Sequence, residues 1–310
     1  MKRRRRRKLN KKFLYFVLAL CFSFSTAVLA VRIPNKLTRL NEVKETLAEV
    51  NEVKTNNENE LLAVKQNINA LEEEVQTLEK NLQEAQKANP ELYQALQSKD
   101  VKKAYLTFDD GPSANTVKIL DFLKANNIKA TFFVIGTENN DEIYKRIVDE
   151  GHTLAIHSNT HKYDEIYVSQ WAFMNDITTL SDKLYNITGV RPKVLRFPGG
   201  SNNTISKRYN NADIMGALVE KVTEEGYSYF DWNVDSLDAS ATHQKKEVIV
   251  QSVLNGAKSK DHAIILMHDA AAKTTTVDAL PEIVDGLRKE GFVFEELTEE
   301  TETVQFRKVK

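Results

Sequence analysis

No glycine precedes Gly111 in this chain of 310 residues, and no aromatic residue falls between Phe24 and Tyr93. Residues 35–89 lack proline as well. A compact fold needs chain reversals, which glycine and proline favour, and bulky side chains to fill a core. The first third therefore cannot form a globule. Compact structure is confined to roughly the last 210 residues, from about Val101 onward.

Two linear patterns occupy the first third. Residues 2–12 hold nine Lys and Arg and no acid, and Phe13 to Val31 follows without a charge. Nineteen residues in a helix span about 29 Å, close to the hydrocarbon thickness of a bilayer. Positive charge ahead of such a segment predicts a cytoplasmic tail at 1–12, a transmembrane signal anchor at 13–31 and an exported remainder. Cleavage after Ala30, behind Val28 and Leu29, would instead release a secreted protein. The single cysteine, Cys21, rules out an intramolecular disulfide and a CxxC metal knuckle. Outside the basic tail 34 bases face 44 acids, a surplus of negative charge that argues against nucleic acid as partner.

The second pattern is a heptad register, which predicts a helical stalk over 35–89. Leu40, Leu47, Lys54, Leu61, Ile68, Val75 and Leu82 share one core position; Val43, Val50, Asn57, Val64, Leu71 and Leu78 share the other. Alternating spacings of three and four keep them on one seam. Lys54 and Asn57 interrupt that seam with polar groups. The pattern fits either a coiled-coil spacer of ~65 Å joining two copies as a homodimer, or a lone amphipathic helix folded back on the globular part. Pro90 is expected to end it.

Beyond Val101 short apolar runs alternate with amphipathic stretches. Strands are expected at residues 103–108, 130–135, 153–157, 193–197, 228–233, 263–268 and 292–295. Helices are expected between them, with Gly151 and Gly291 just past two helix ends. Such alternation predicts parallel strands covered by helices, hence an α/β fold. Seven strands favour a distorted (β/α) barrel over an open sheet. Asp109, Asp110, His157, His161, Arg196, Asp235, His268 and Asp269 all follow or end strands. The carboxyl ends of parallel strands gather at one rim, so these residues are expected to converge there.

Each cluster suggests chemistry. Leu106-Thr107-Phe108-Asp109-Asp110-Gly111-Pro112 puts two diverging carboxylates where a strand stops: either one serves a metal and one a proton transfer, or both lie in a solvated turn. His157 and His161, four apart, can aim two imidazoles at one cation and leave coordination sites open, as catalytic metals require. Arg196, in Leu195-Arg196-Phe197-Pro198-Gly199-Gly200-Ser201, can orient a carboxylate, and glycine N–H groups can approach an oxyanion; a surface ion pair before a loop is the plainer alternative. A carboxylate from Asp231-Trp232-Asn233-Val234-Asp235-Ser236 bonded to His268, in Leu266-Met267-His268-Asp269, would make that histidine a general acid. An ordinary buried pair would also satisfy the pattern. His152, His243 and His262 lack such partners and are read as structural.

These five segments, in this order from about Val101 to Glu296, resemble the polysaccharide deacetylase family, carbohydrate esterases with a NodB-homology domain. The resemblance implies a catalytic domain over 101–310 that removes acetyl groups from N-acetylated sugars with one divalent metal, usually zinc, with cobalt, nickel or manganese as substitutes. By the same resemblance Asp110, His157 and His161 are the ligands and Asp109 is the base oriented by Arg196. His268 is the acid tuned by Asp235. The Gly199 N–H contributes to the oxyanion site and Leu266 lines the acetyl pocket. Two positions depart from the family pattern: Gly199 replaces a frequent aromatic, and Ala239 stands where the fourth motif often has tryptophan. The combined expectation is a membrane-tethered deacetylase facing the cell wall, acting on peptidoglycan N-acetylglucosamine. Chitin oligomers, poly-N-acetylglucosamine and acetylxylan are the alternative substrates. A wall-displayed adhesin or scaffold with little activity is the non-enzymatic alternative.

Overall fold

The computed structural model describes the backbone of residues 11–88, 101–210 and 212–309. Residues 1–10, the stretch containing Pro90 and the side chains of residues 11–43 lie outside the described residues, so the basic tail and the apolar character of the expected anchor fall there too. Among the described residues no helix is long and apolar enough to cross a membrane. The chain divides into two units near Pro90.

The first unit is one helix, α1 (Lys11–Ala88), of 78 residues. It contains no glycine, and beyond Pro34 no proline, so good helix formers carry it on to Ala88. Its expected seam is open: Leu47, Val50, Leu61, Val64, Ile68, Leu71, Val75 and Leu78 are each 48–60 % exposed. Lys54 and Glu58 form an i,i+4 ion pair on its surface.

The second unit is α/β. In chain order it comprises β1 (Lys102–Asp109), α2 (Ala114–Ala125), β2 (Thr131–Ile135), α3 (Asp141–Asp149), β3 (Thr153–Ser158), α4 (Tyr163–Ile166) and α5 (Gln170–Thr188). There follow β4 (Val194–Leu195), α6 (Ile214–Glu224), β5 (Ser228–Tyr229), β6 (Val234–Asp235), α7 (Lys246–Ala257), β7 (His262–His268), α8 (Thr274–Lys289) and β8 (Phe292–Phe294). Every strand pairing is parallel, in the order β5-β4-β3-β2-β1-β7-β6. β8 adds to the first half of β1, at Lys102 to Ala104, and β2 to the second half, at Thr107 to Asp109.

The expected strand at 228–233 is divided. Phe230 N–H still bonds to Leu195 O on the β4 side, whereas Asn233 N–H bonds to Ile264 O on the β7 side. One stretch of chain thus supplies both ends of the ladder, and the sheet curls back on itself without a continuous ladder across that gap. Arg196 is the reason the gap is tolerated: its Nε donates to Phe230 O and its Nη2 to Asp231 O, both at 3.0 Å. Buried carbonyls that the ladder leaves unpaired are satisfied by the guanidinium. The C-terminal segment seals the same place, with Val304 O accepting from Asp231 N–H.

Strand alternation sorts the side chains into two layers. Ala104, Leu106, Phe108, Phe132, Val134, Ile156, Ile265 and Met267 join the large core under the helices. Tyr105, Phe133, Ala155, Val194, Phe230 and Ile264 form a small apolar cluster on the opposite face. That second face turns polar toward the strand ends: Tyr105 and Thr107 lead to Asp109, Ala155 to His157, Val194 to Arg196, and Ile264 and Leu266 to His268. The period-two pattern alone delivers four chemical groups to one place.

Candidate active site

Asp109 ends β1 beside His268 of β7, its register partner. It is 3 % exposed, and Arg196, which is fully buried, donates from Nη1 to Asp109 Oδ1 at 2.9 Å. The same nitrogen reaches Thr107 Oγ1 at 2.7 Å, and the guanidinium lies over the Phe133 ring at 4.1 Å. Burial pushes the Asp109 carboxyl above the ordinary carboxylate range, while Arg196 and then His268 pull it back. A carboxylate with raised proton affinity, held in one orientation, is equipped to accept a proton.

Asp110 has a left-handed backbone, with φ of 72°, a region that an aspartate tolerates better than most residues. The neighbouring Asp109 Oδ2 lies 4.0 Å from His157 Nε2. His161 is also left-handed, with φ of 54°. Backbone strain in non-glycine residues clusters at functional sites.

Asp110 Oδ1 stands 3.5 Å from His157 Nε2 and 3.2 Å from His161 Nε2. The three ligand atoms all lie within 4.8 Å of one another. His157 Nδ1 is 2.9 Å from Arg196 O, which can only accept, so Nδ1 carries the proton and Nε2 presents a lone pair to the carboxylate. Burial holds His157 down at about 3, with the Asp110 charge opposing and His161 reinforcing the shift. Asp110 Oδ1 is buried without a hydrogen-bond partner. Lone pairs converging on an orphaned carboxylate oxygen fit a cation among them, and the N,N,O donor set suits zinc or a neighbouring divalent metal.

Two braces were not evident from sequence. Asp176 of α5 accepts from Ser158 Oγ at 2.7 Å, Asn159 N at 2.7 Å and Thr160 N at 3.0 Å, and Ser158 Oγ accepts from His161 N at 2.9 Å. This carboxylate shapes the loop that carries both imidazoles. Asp176→Ala is expected to weaken divalent-metal affinity about 10–100-fold, as loss of a ligand's supporting bonds does elsewhere, and metal titration of the purified protein would measure it. Unchanged affinity would mean the loop holds itself. Asp231 is the second brace: its carboxylate accepts from Ser201 N at 2.8 Å, Ser201 Oγ at 2.5 Å and Phe306 N at 2.7 Å, fixing the chain after Gly199 and Gly200.

The carboxylate on His268 corrects the sequence reading. It is Asp238, not Asp235. Asp238 Oδ1 is 2.7 Å from His268 Nδ1, and its Oδ2 accepts from His268 N at 2.7 Å and Thr276 Oγ1 at 2.9 Å. Asp235 is exposed, and its Oδ1 instead accepts from Leu237 N at 2.8 Å. Leu237 then adopts φ of 58°, and that left-handed turn directs Asp238 back to β7. Burial opposes charging of His268, but its hydrogen bond to Asp238 and the charges of Asp238, Asp109 and Asp110 push it up to about 9. Asp269 does not join this pair. Its Oδ2 accepts from Thr116 Oγ1 at 2.5 Å, and a Cβ on Gly111 would collide with its carboxylate.

Asp109, Asp110, His157, His161, Arg196 and His268 therefore meet at the strand ends. Gly199 lies beside Tyr163, and Leu266, paired with Thr107 in β1, is 6 % exposed on the same inner face. A cation site, a buried carboxylate base and a histidine paired with a carboxylate are the parts of a metal-assisted hydrolase.

Comparison with known proteins agrees with this chemistry. A family model described as polysaccharide deacetylase matches residues 96–216. A peptidoglycan-N-acetylglucosamine deacetylase of Bacillus cereus is 36 % identical over 209 residues, covering 66 % of this chain and 72 % of that protein. The putative polysaccharide deacetylase YheN of Bacillus subtilis is 32 % identical over 209 residues, with 65 % and 69 % covered. The crystal structure of the catalytic domain of a peptidoglycan N-acetylglucosamine deacetylase from Eubacterium rectale superposes with a TM-score of 0.65 at 39 % identity, covering 68 % of this chain and 94 % of that one.

Proposed function

Because the chain belongs to the polysaccharide deacetylase family, we propose that it hydrolyses the acetamide of N-acetylglucosamine in peptidoglycan and releases acetate. The observation that carries this reading is the orphaned Asp110 Oδ1 between two imidazole nitrogens, next to an Arg196-bound carboxylate. The glycan assignment follows the names of the Bacillus cereus and Eubacterium rectale relatives.

Asp110, His157 and His161 would hold the metal, and zinc is the ion proposed. A bound divalent ion would lower the pKa of water and polarise a carbonyl. Asp109 takes the proton from the attacking water while Arg196 keeps its carboxylate aimed. Water adds to the acetyl carbon, and the backbone N–H of Gly199 stabilises the resulting oxyanion, with Leu266 against the acetyl methyl. His268 donates its proton to the sugar nitrogen as the C–N bond breaks, and Asp238 stabilises the charged ring beforehand. Acetate and the free amine depart.

The test is acetate release from purified peptidoglycan, before and after chelation and after readdition of single divalent metals. Loss on chelation with recovery on zinc is the expected result; full activity of the metal-free protein would end the mechanism. Greater turnover on chitin oligomers, poly-N-acetylglucosamine or acetylxylan would reassign the substrate.

The proposed location is the outer face of the cell membrane, anchored through residues 13–31, with α1 as the spacer to the wall. The uncharged run after nine basic residues supports the anchor, and the exposed heptad seam supports pairing of two copies. Cross-linking of the full-length protein in membranes is expected to yield a dimer that Leu61→Lys abolishes. A monomer throughout would leave the spacer single-stranded.

A further inference from the structure

Gly199 has no side chain, and a phenol from the start of α4 lies against the space one would occupy. A Cβ on Gly199 would stand 3.0 Å from Oη and 3.5 Å from Cε1 of Tyr163. Gly199 also holds φ of 77°, which glycine alone adopts readily. Tyr163 begins α4, and its ring meets the His161 ring edge-on, 5.6 Å between centroids at 85°. The Tyr167 ring packs 5.6 Å behind it, with its own hydroxyl donating to Pro198 O at 2.7 Å. The Tyr163 side chain thus bridges a candidate cation ligand, met by its ring, and the glycine-rich backbone after β4, met by its hydroxyl. Among the described residues, no group is hydrogen-bonded to it.

We propose that Tyr163 is a catalytic residue, donating a hydrogen bond from Oη to the acetyl oxygen as that oxygen becomes an anion. The assignment rests on the deacetylase reading above. A phenol keeps its proton at neutral pH, so Tyr163 is a donor throughout and transfers no proton. The proton balance of the reaction is unchanged: Asp109 accepts one from water, and His268 delivers one to the amine. What Tyr163 adds is a fixed dipole next to the Gly199 N–H, where charge appears only in the transition state. The glycine is needed because any side chain at 199 would crowd the hydroxyl.

The experiment compares wild type, Tyr163→Phe, Gly199→Ala and the double variant on an N-acetylglucosamine tetrasaccharide at saturating zinc. Tyr163→Phe is expected to lower kcat about 10²-fold, the usual effect of losing one oxyanion donor, with KM nearly unchanged. Its zinc affinity, measured by titration, should equal that of wild type. Gly199→Ala should cost less in the Tyr163→Phe background than in wild type, because the clash with Oη is gone while backbone strain is common to both. A Tyr163→Phe enzyme of unaltered kcat would overturn the assignment alone, as would a change confined to KM or a matching fall in zinc affinity. Wild-type protein that releases no acetate would overturn the assignment together with the reading beneath it.

Discussion

Asp109→Asn is expected to lower kcat for acetate release by about 10²–10⁴-fold, the range for loss of a positioned general base. The amide keeps the shape of the carboxylate and can still accept from Arg196, so substrate binding should change little and KM should hold. It cannot take a proton from water. A second effect should appear in the same variant without substrate. Arg196 is fully buried, and Asp109 is its only ion-pair partner among the described residues. Removing one member of a buried pair typically costs about 3–5 kcal/mol, because the other charge stays desolvated. Here the retained bonds to Thr107 Oγ1, Phe230 O and Asp231 O place the loss toward the lower end. A lowered thermal midpoint alongside the lost turnover is the expected pair of results. Retained turnover would move the base elsewhere, whatever the melting curve shows.

The same arginine shows how far the sequence could be read. Its place at the end of a strand followed from apolar runs that stop at charged residues, whereas Asp109 as its partner came from the family resemblance. The inner-face alternation of Tyr105, Thr107 and Asp109 was equally open to reading. That Arg196 would also take over two backbone carbonyls where the ladder breaks was not, because ladder geometry depends on how the sheet curls. The expected strand at 228–233 looked continuous since Tyr229, Phe230 and Trp232 recur along it, and no local signal marks a change of partner. Asp176 was hidden for a related reason: a helix residue bonded to a loop 16 to 18 positions earlier leaves no periodic trace. Asp235 carried the pairing with His268 through the family resemblance, and Asp238 lies just beyond the segment, residues 231–236, that the resemblance rests on. The segment Asp235-Ser236-Leu237 does carry a turn signal, an aspartate able to bond two residues on. Reading that turn would have favoured the later aspartate.

The choice between those aspartates has a kinetic consequence. A general acid must be protonated to act, and His268 is held up to about 9, so activity is expected to fall on the alkaline side near that value. On the acidic side it should fall as Asp109, raised above its ordinary 3.8, takes up a proton. In Asp238→Asn the amide can still accept from the ring, but the charge that raises His268 is removed while burial remains and only Asp109 and Asp110 oppose it, so the alkaline limb should move down from 9 toward the ordinary 6.5. At neutral pH kcat should then drop about 10²–10⁴-fold, whereas Asp235→Asn should leave both the limb and kcat in place. Stability should follow the same linkage. A histidine with a raised folded pKa stabilises fully below 6.5, and the contribution fades as pH rises through 9. Asp238, lowered by His268 against the effect of burial, stabilises above 3.8 and loses its contribution as pH falls through its folded value. Both contributions overlap between these limits, so the thermal advantage of wild type over Asp238→Asn should be greatest near pH 4–6.5 and shrink toward pH 9. A limb that stays near 9 in Asp238→Asn would remove His268 from the role of acid, even if turnover fell.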